Sequence, residues 1–112
     1  MVIGIIADSS TAEGFLNNLS EADFKLKNVS VIMSDPKLRD AIAKDTGPFR
    51  GITVSTLPTK LAKIGIAAPD AQPYVDAVTN GKVLIAVQAP KGSQQAAAEM
   101  FQDVKAELVR TV

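Results

Sequence analysis

The sequence predicts an α/β (α+β) fold: a ferredoxin-like βαββαβ variant with an inserted helical segment and a C-terminal helix. Three observations lead to this prediction. Short apolar runs rich in β-branched residues occupy positions 2–7, 29–33 and 83–87. Segments with apolar residues at helical spacing lie between and after these runs. Ser, Asp, Pro and Gly mark the starts and stops of those segments. Such an alternation is typical of helices that cover at least one face of a mixed sheet.

The amino-terminal part predicts strand, helix and strand. The run VIGIIA at 2–7 is typical of a strand buried on both faces, and Gly4 inside it predicts close packing of another element. Ser10 and Glu13 have the spacing of a capping box, which predicts that a helix begins there. The run VSVIM at 29–33 predicts the second strand, which is also expected to be buried on both faces.

The middle of the chain is the least regular part. Asp35 as a cap and Pro36 at the first helical position predict a short helix to about residue 44. The segment DTGPFRG at 45–51 predicts a loop. The next four residues, 52–55, favour a short strand, and counting that strand completes the βαββαβ order. Pro58 opens a further helical turn that extends to residue 63.

The carboxy-terminal part predicts helix, strand and helix. A helix is expected from Pro69 to about Thr79, and Asn80-Gly81 ends it because glycine adopts the left-handed conformation easily. The run VLIAV at 83–87 predicts a strand. Ser93 is expected to cap the last helix, whose apolar face consists of Ala97, Phe101, Val104 and Leu108.

Chain length and charge suggest how the protein is organised. The 112 residues fit one domain, 1–112, in which halves 1–35 and 64–112 are joined by a basic segment, 36–63. Net charge is −4 over residues 1–23, +5 over 24–63 and −1 over 64–112, so the total is zero. Nucleic-acid binding depends on neutralising phosphates, and a neutral chain therefore predicts no general nucleic-acid partner. The basic middle segment still allows a local basic patch.

Missing residue types exclude several classes of chemistry. The chain has no cysteine and no histidine, which rules out disulfides, thiolate zinc sites, cysteine nucleophiles and a Ser-His-Asp triad. We expect no enzyme activity, no metal site and no cofactor. No run approaches the length of a membrane span, and the first apolar run has no positive charge before it. We therefore expect a cytoplasmic protein with no membrane association.

Two places are candidate ligand sites. Asp8, Ser9 and Ser10 follow the first strand at a helix start, where free amide groups bind anions. The alternative is that Ser10 only caps the helix, and Asp8 would repel an anion. Lys44 and Arg50 lie at the ends of a glycine-containing loop that offers a cradle for phosphate or carboxylate. The alternative there is a solvated surface loop.

Two aromatic residues each allow a structural and a functional interpretation. Phe49 lies between polar neighbours in a loop, so it either folds back onto the core or anchors a partner. Tyr74 has helical spacing to Ala71 and Val78. This pattern favours a core position with the hydroxyl reaching a partner, and stacking on a ligand is the alternative.

A family resemblance lies mainly in the carboxy-terminal half. Small apolar residues there surround a helix and a strand: Gly65-Ile66, Pro69-Asp70-Ala71, Tyr74, Val78, Gly81-Lys82 and the strand 83–87. This pattern resembles the bacterial general stress proteins of the heat-induced YflT-like family, in which a GIP segment leads into a helix with a Tyr, then a Gly and a strand. The amino-terminal half is similar in its VIGI strand, its Ala12-Glu13 helix start and its strand at 29–33. The matching parts cover roughly 1–35 and 63–110.

The resemblance implies an α/β stress-related domain and supplies no catalytic residues. One departure concerns segment 36–63, which is shorter, more polar and more basic than the Gly- and Ala-rich stretch of many relatives. A membrane-proximal role of that stretch is therefore not transferred. The other departure is Ala67-Ala68, where the family pattern places a Pro nearer to Ile66.

These observations lead to a ranked set of roles. The first is a non-enzymatic stress-response or regulatory domain that associates with protein, initially with itself as a homodimer. That expectation follows from the use of open sheet edges or faces in small ferredoxin-like domains, an analogy of fold. The alternative is a sensor that binds a nucleotide or another anionic metabolite at Asp8–Ser10 or Lys44–Arg50. Weak nucleic-acid binding through the basic middle ranks last.

Overall fold

A four-stranded antiparallel sheet organises the chain in the computed structural model, which describes residues 1–112. Its strands are β1 (Val2–Ile6), β2 (Val29–Ile32), β3 (Val83–Val87) and β4 (Glu107–Thr111), in the order β2-β3-β1-β4. Since β1 and β2 both run antiparallel to β3, they are parallel to each other. This is the strand order of a ferredoxin-like sheet, and the predicted α/β (α+β) class is confirmed.

Five helices connect these strands. They are α1 (Ser9–Glu21), α2 (Pro36–Ile42), α3 (Leu57–Lys63), α4 (Ala68–Thr79) and α5 (Gln94–Asp103), with single 3-10 turns at Leu26–Asn28 and Lys91–Ser93. Helix α1 joins β1 to β2, and α5 joins β3 to β4. The predicted inserted helical segment is present as α2 and α3 between β2 and β3. Helix α4, expected as the second connecting helix of the βαββαβ order, also belongs to this insertion, and α5 takes the connecting position. Strands from the two halves of the chain alternate in the sheet, so the halves interleave.

The predicted strand at 52–55 is wrong. Residues 53–56 form a turn, in which the amide of Thr56 donates to the carbonyl oxygen of Thr53 over 3.2 Å. The amide of Thr53 donates to the hydroxyl of Thr56 over 2.9 Å. Hydroxyl groups that bond to nearby backbone in this way compete with the ladder of a sheet. The third strand is therefore 83–87, and the fourth is 107–111.

The predicted C-terminal helix is wrong beyond Asp103, because the chain ends in β4. Lys105 has a φ of +56°, in the left-handed region. The amide of Ala106 then donates to the carbonyl oxygen of Phe101 over 3.0 Å, which is the closing bond of a Schellman motif. Leu108 consequently belongs to a strand that pairs with β1, although its spacing from Phe101 suits a helix.

Both faces of the sheet are covered, as the predicted two-sided burial of β1 and β2 requires. Helices α1 and α5 pack on one face, against side chains that include Val2, Ile6 and Ile85. Helices α3 and α4 pack on the other face, against Ile3 and Ile5 among others. An antiparallel sheet commonly leaves one face in water. The continuous apolar runs are explained here by a helical layer on each side.

Gly4 lets α5 approach β1 closely, as predicted. A Cβ at this position would lie 2.7 Å from Cδ1 of Phe101. The Phe101 ring also packs against Phe15 of α1, with 4.5 Å between ring centroids. The absence of a side chain at Gly4 therefore allows the two aromatic rings to fill the space under the first face of the sheet.

Of the three predicted helix caps, Ser10, Asp35 and Ser93, the structure confirms one. Asp35 caps α2, accepting from the amides of Lys37 (3.0 Å) and Leu38 (3.2 Å), as expected. Asp8, and not Ser10, caps α1. Ser93 makes no capping bond with its side chain. None of the helices has both the length and the apolar character that crossing a bilayer requires.

Candidate functional site

Residues 45–51, the edge loop, pack against the start of the outer strand β2. The buried hydroxyl of Ser30 donates to the carbonyl oxygen of Thr46 and accepts from the amide of Phe49, both over 2.7 Å. Gly47 has a φ of +82°, and a Cβ there would lie 2.6 Å from the carbonyl carbon of Val29. Only glycine fits this approach. The Thr46 hydroxyl also donates to the Val29 carbonyl oxygen over 3.2 Å, so the edge loop occupies a main-chain acceptor at the start of this edge.

Side chains within and beside the edge loop hold it in place. Phe49 is fully buried in the second core, so the core interpretation of this residue is the one observed. The ammonium group of Lys60 lies 5.7 Å from the centroid of the Phe49 ring. Both carboxylate oxygens of Asp45 accept from the amide of Gly51, over 3.1 and 3.2 Å, and one of them also pairs with Arg39 over 3.4 Å.

An apolar cleft lies between α1, α2 and the start of β2. Its volume is about 570 Å³, within the range of ligand pockets in proteins. Aliphatic side chains form most of its wall, and polar groups stand at its rim. The lining residues are Leu16, Leu26, Lys27, Val29, Val31, Asp40, Ala41, Ile42, Ala43, Lys44 and Thr46.

A polar pocket of about 480 Å³ adjoins the apolar cleft on the other side of Thr46. Two cationic and two amide side chains face it, together with part of the edge loop. Its lining consists of Lys27, Asn28, Thr46, Gly47, Pro48, Arg50 and Gln88. Lys27 and Thr46 line both cavities, so the two spaces are neighbours on either side of these residues.

The charge around the two cavities is unbalanced. Lys27, Lys44 and Arg50 take part in none of the ion pairs of the chain. Asp40 is the one carboxylate in either lining, and it already pairs with Arg39 over 2.8 Å. The cavities therefore carry an excess of unpaired positive charge, which favours an anionic ligand.

A third, smaller cavity of about 290 Å³ lies further along β2. Its wall includes Arg39, whose Nε is buried and makes no hydrogen bond. Residues 52–55, which do not form the expected strand, complete this wall. Residues of segment 36–63 line each of these three cavities, and residues of β2 line the apolar cleft and the third cavity. This is the basic segment that joins the two halves of the chain.

The structure does not bring the two predicted site groups together. Asp8, Ser9 and Ser10 follow the end of β1. Lys44 and Arg50 line the two cavities that Lys27 also lines, and Lys27 precedes the start of β2. Since β1 and β2 are parallel, these positions lie at opposite ends of the sheet. The Asp8 carboxylate accepts from the amide of Thr11 over 2.8 Å, and this bond lowers the pKa of that carboxyl group. A carboxylate thus already occupies the helix start that an anion would use.

Lys44 and Arg50 lie on the two sides of the edge loop. Lys44 lines the apolar cleft and Arg50 lines the polar pocket, and Lys27 and Thr46 line both of these spaces. Sequence reasoning missed Lys27, Asn28 and Gln88. One signal was present, because polar and charged residues directly flank the ends of buried strands at these places.

Tyr74 is a core residue with a bonded hydroxyl, as predicted. Only 3% of it is exposed, and its hydroxyl donates to the carbonyl oxygen of Leu108 over 2.6 Å. Burial raises the pKa of this hydroxyl above its ordinary value, although the positive charge of Arg110 acts in the opposite direction. The tyrosine joins α4 to β4 and does not face either cavity.

No family model matches the chain, and significant matches are found neither among curated proteins nor among solved structures. The candidate site consists of an apolar cleft, an adjoining polar pocket and three unpaired cations, arranged around the edge loop.

Proposed function

We propose that this chain is a non-enzymatic regulatory domain of the cytoplasm that acts by associating with protein, initially with a second copy of itself. The observation that carries this proposal is the difference between the two edges of the sheet. The edge loop packs on the start of β2, where the Thr46 hydroxyl donates to the Val29 carbonyl oxygen, whereas β4 is the other outer strand and no further strand pairs with it. An unpaired edge is a template for another strand.

The register of β4 identifies the groups that are available. Met1 and Val112 exchange both main-chain hydrogen bonds, over 3.0 and 2.8 Å. Hydrogen-bonded pairs alternate along an antiparallel ladder. Arg110 therefore bonds inward to its partner Ile3, and the amide and carbonyl groups of Val109 and Thr111 point away from the sheet.

A two-fold arrangement satisfies these free groups. Val109 of one copy then pairs with Thr111 of the other, and the sheets join into one. The exposed side chains of Leu108 and Val112, which are 40% and 37% accessible, gain apolar contacts at this edge. Arg110 faces its own counterpart across the axis. Asp70, at 3.6 Å, partly balances that charge within each copy.

The non-enzymatic part of the proposal has its support in the two groups with displaced pKa values. Perturbed groups cluster at active sites in many enzymes. Here the hydrogen bonds from Thr11 to the capping Asp8 lower the pKa of that carboxyl group, and burial in the core raises the pKa of Tyr74, so structural roles explain both displacements. The stress-related part has its support in the sequence resemblance. It predicts that the abundance of the protein rises after heat treatment, which quantitative immunoblotting measures.

Light scattering coupled to size-exclusion chromatography tests the dimer. We expect the wild-type chain to be dimeric at high micromolar concentration. Thr111→Pro removes an outward-facing N–H without breaking a bond to β1, and we expect a monomer with unchanged circular dichroism. Thr111→Val keeps the N–H and serves as the matched control that stays dimeric. A strictly monomeric wild type contradicts the proposal, as does a Thr111→Pro variant that dimerises normally.

A second candidate function, a sensor of a nucleotide or another anionic metabolite, has separate support in the unpaired Lys27, Lys44 and Arg50. A thermal-shift screen with nucleotides and phosphorylated metabolites tests it. A ligand at a hundredfold excess over its Kd stabilises the folded state by about 2.7 kcal/mol, which shifts the melting temperature by several degrees. No shift at millimolar ligand would contradict the sensor role.

A further inference from the structure

We propose that the apolar cleft and the polar pocket together form one site for a single-chain amphiphile with an anionic head group. The hydrocarbon chain would lie in the apolar cleft, and a carboxylate or phosphate head would lie in the polar pocket. This inference rests on the second candidate function and specifies its ligand class. It does not depend on the dimer.

The wall of the apolar cleft suits a hydrocarbon better than a nucleobase. Leu16, Val29 and Val31 form its floor, and Ile42 forms part of its side. A base needs free hydrogen-bonding partners to be bound specifically. The hydroxyl of Thr46 lies within 3.2 Å of the Val29 carbonyl oxygen and 3.3 Å of that of Leu26, so it is already engaged. The cleft thus provides apolar contacts and little polar recognition.

The polar pocket offers the groups that bind an anionic head. Arg50 and Lys27 supply charge, and the side-chain amides of Asn28 and Gln88 supply further donors. Neither cation is used in an ion pair. Guanidinium and ammonium groups bind carboxylates and phosphates through charge-assisted hydrogen bonds. No carboxylate lines the pocket to compete with a ligand.

The adjacency of the two cavities determines the shape of the proposed ligand. They share Lys27 and Thr46 as lining residues, so the head and the chain of one molecule would meet at this junction. A small anion fills the polar pocket alone, and a neutral hydrocarbon fills the cleft alone. Only a molecule with both parts uses the whole site. Lys44 at the cleft rim adds a second favourable charge beside the junction.

Isothermal titration calorimetry with three probes tests this inference. Decyl phosphate has both parts, decanol has only the chain, and inorganic phosphate has only the charge, each used below its micelle or solubility limit. We expect decyl phosphate to bind at least about tenfold more tightly than either of the others. Decanoate in a parallel titration distinguishes a carboxylate head from a phosphate head, and tighter binding of either one supports the class.

Variants separate the two parts of the site. Lys27→Met and Arg50→Met should weaken decyl phosphate about tenfold and leave decanol unchanged, since both side chains are exposed and their loss does not disturb the core. Ala41→Trp lies at the cleft and should weaken both chain-bearing probes. Lys63→Met removes a lysine that lines neither cavity, and it should bind like the wild type.

The outcomes distinguish this inference from the sensor function. If inorganic phosphate or a nucleotide binds as tightly as decyl phosphate and Ala41→Trp has no effect, the amphiphile is ruled out while the sensor stands. If no anionic probe or nucleotide binds at millimolar concentration, both are ruled out. Equal binding of decyl phosphate by Lys27→Met, Arg50→Met and wild type overturns the assignment of the head group, and with it the proposal.

Discussion

The hydroxyl of Tyr74 lies 2.6 Å from the carbonyl oxygen of Leu108, a residue whose φ is +53°. This bond connects the middle of α4 to the one irregular point of the edge strand β4. The register between β1 and β4 shifts there, between Ile3 and Ile5. A leucine in the left-handed region costs free energy, and the tyrosine hydroxyl helps to hold it in place.

Tyr74→Phe should lower the free energy of unfolding by about 1 kcal/mol. The ring remains in the core, and the loss comes from the missing hydrogen bond to Leu108. Urea denaturation followed by circular dichroism measures this change. Hydrogen exchange should accelerate most in β4, whose outer groups are already open. An unchanged midpoint together with unchanged exchange in β4 would show that the bond contributes nothing.

Stability should fall as the pH rises above about 10, the ordinary pKa of a tyrosine. The folded state raises the pKa of Tyr74 by burial, so the unfolded chain loses this proton first. The contribution of Tyr74 is therefore fully present below the unfolded pKa and decreases as the pH rises through the folded one. Urea denaturation midpoints measured from pH 8 to 11, at intervals of about one pH unit, give the size of this loss. Tyr74→Phe is the control, and it should show a smaller alkaline loss.

Gly47→Ala should destabilise the protein more than Gly51→Ala. Both glycines have positive φ, +82° and +77°, so both variants carry the same backbone strain of about 1 kcal/mol. Only at Gly47 would the added Cβ also meet backbone, at 2.6 Å from Val29. The difference between the two urea midpoints therefore measures the close approach of the edge loop to β2. Equal losses would mean that the loop simply moves away.

Gly4→Ala should cost about 1–3 kcal/mol, because the new methyl group would overlap the Phe101 ring at 2.7 Å. Phe101→Leu alone should also destabilise, since it removes a buried ring that packs on Phe15. Together the two changes should cost less than the sum of the single ones, because the smaller side chain makes room for the methyl group. Thermal denaturation of the two single variants and the double variant completes this double-mutant cycle. Strictly additive losses would contradict a direct contact between the new methyl group and the ring.

Lys105→Gly should stabilise the protein by about 0.5–1 kcal/mol. Lys105 has a φ of +56° where α5 ends, and glycine adopts this conformation without steric cost. Gln102→Gly is the matched control one turn earlier. It lies in the last turn of α5, before the left-handed residue, and should destabilise by up to about 1 kcal/mol, because glycine is unfavourable in a helix. A lower melting temperature for Lys105→Gly would assign a favourable contact to the lysine side chain.

Much of the fold was predictable, because local signals and final structure agree there. The apolar runs at 2–7, 29–33 and 83–87 contain three of the four strands, and α2, α3 and α4 begin within one residue of their predicted starts. Gly81, with a φ of +91°, ends α4 as expected. These features depend on residues that are neighbours in sequence, so spacing and turn chemistry suffice to predict them.

The candidate site was predictable only in part. Lys44 and Arg50 stand out within a glycine-containing loop, and segment 36–63 does border the cavities. No motif surrounds Lys27 or Gln88. Both residues line the polar pocket only because β2 pairs with β3. The cap of α1 is Asp8 and not the predicted Ser10, because both residue types are good caps and the backbone path decides between them.

By itself, the sequence determined which segments are buried, where most helices begin and which chemistries lack the residues they need. The tertiary structure decided the identity of the outer strands and of the site. Strand β4 is mostly exposed and has the spacing of a helix, and its partner β1 lies about a hundred residues earlier. Its strand conformation comes from long-range hydrogen bonds to β1 and from a left-handed lysine that carries no local signal. Ser30 likewise gains its role only when the edge loop folds onto β2, because both partners of its hydroxyl lie in that loop.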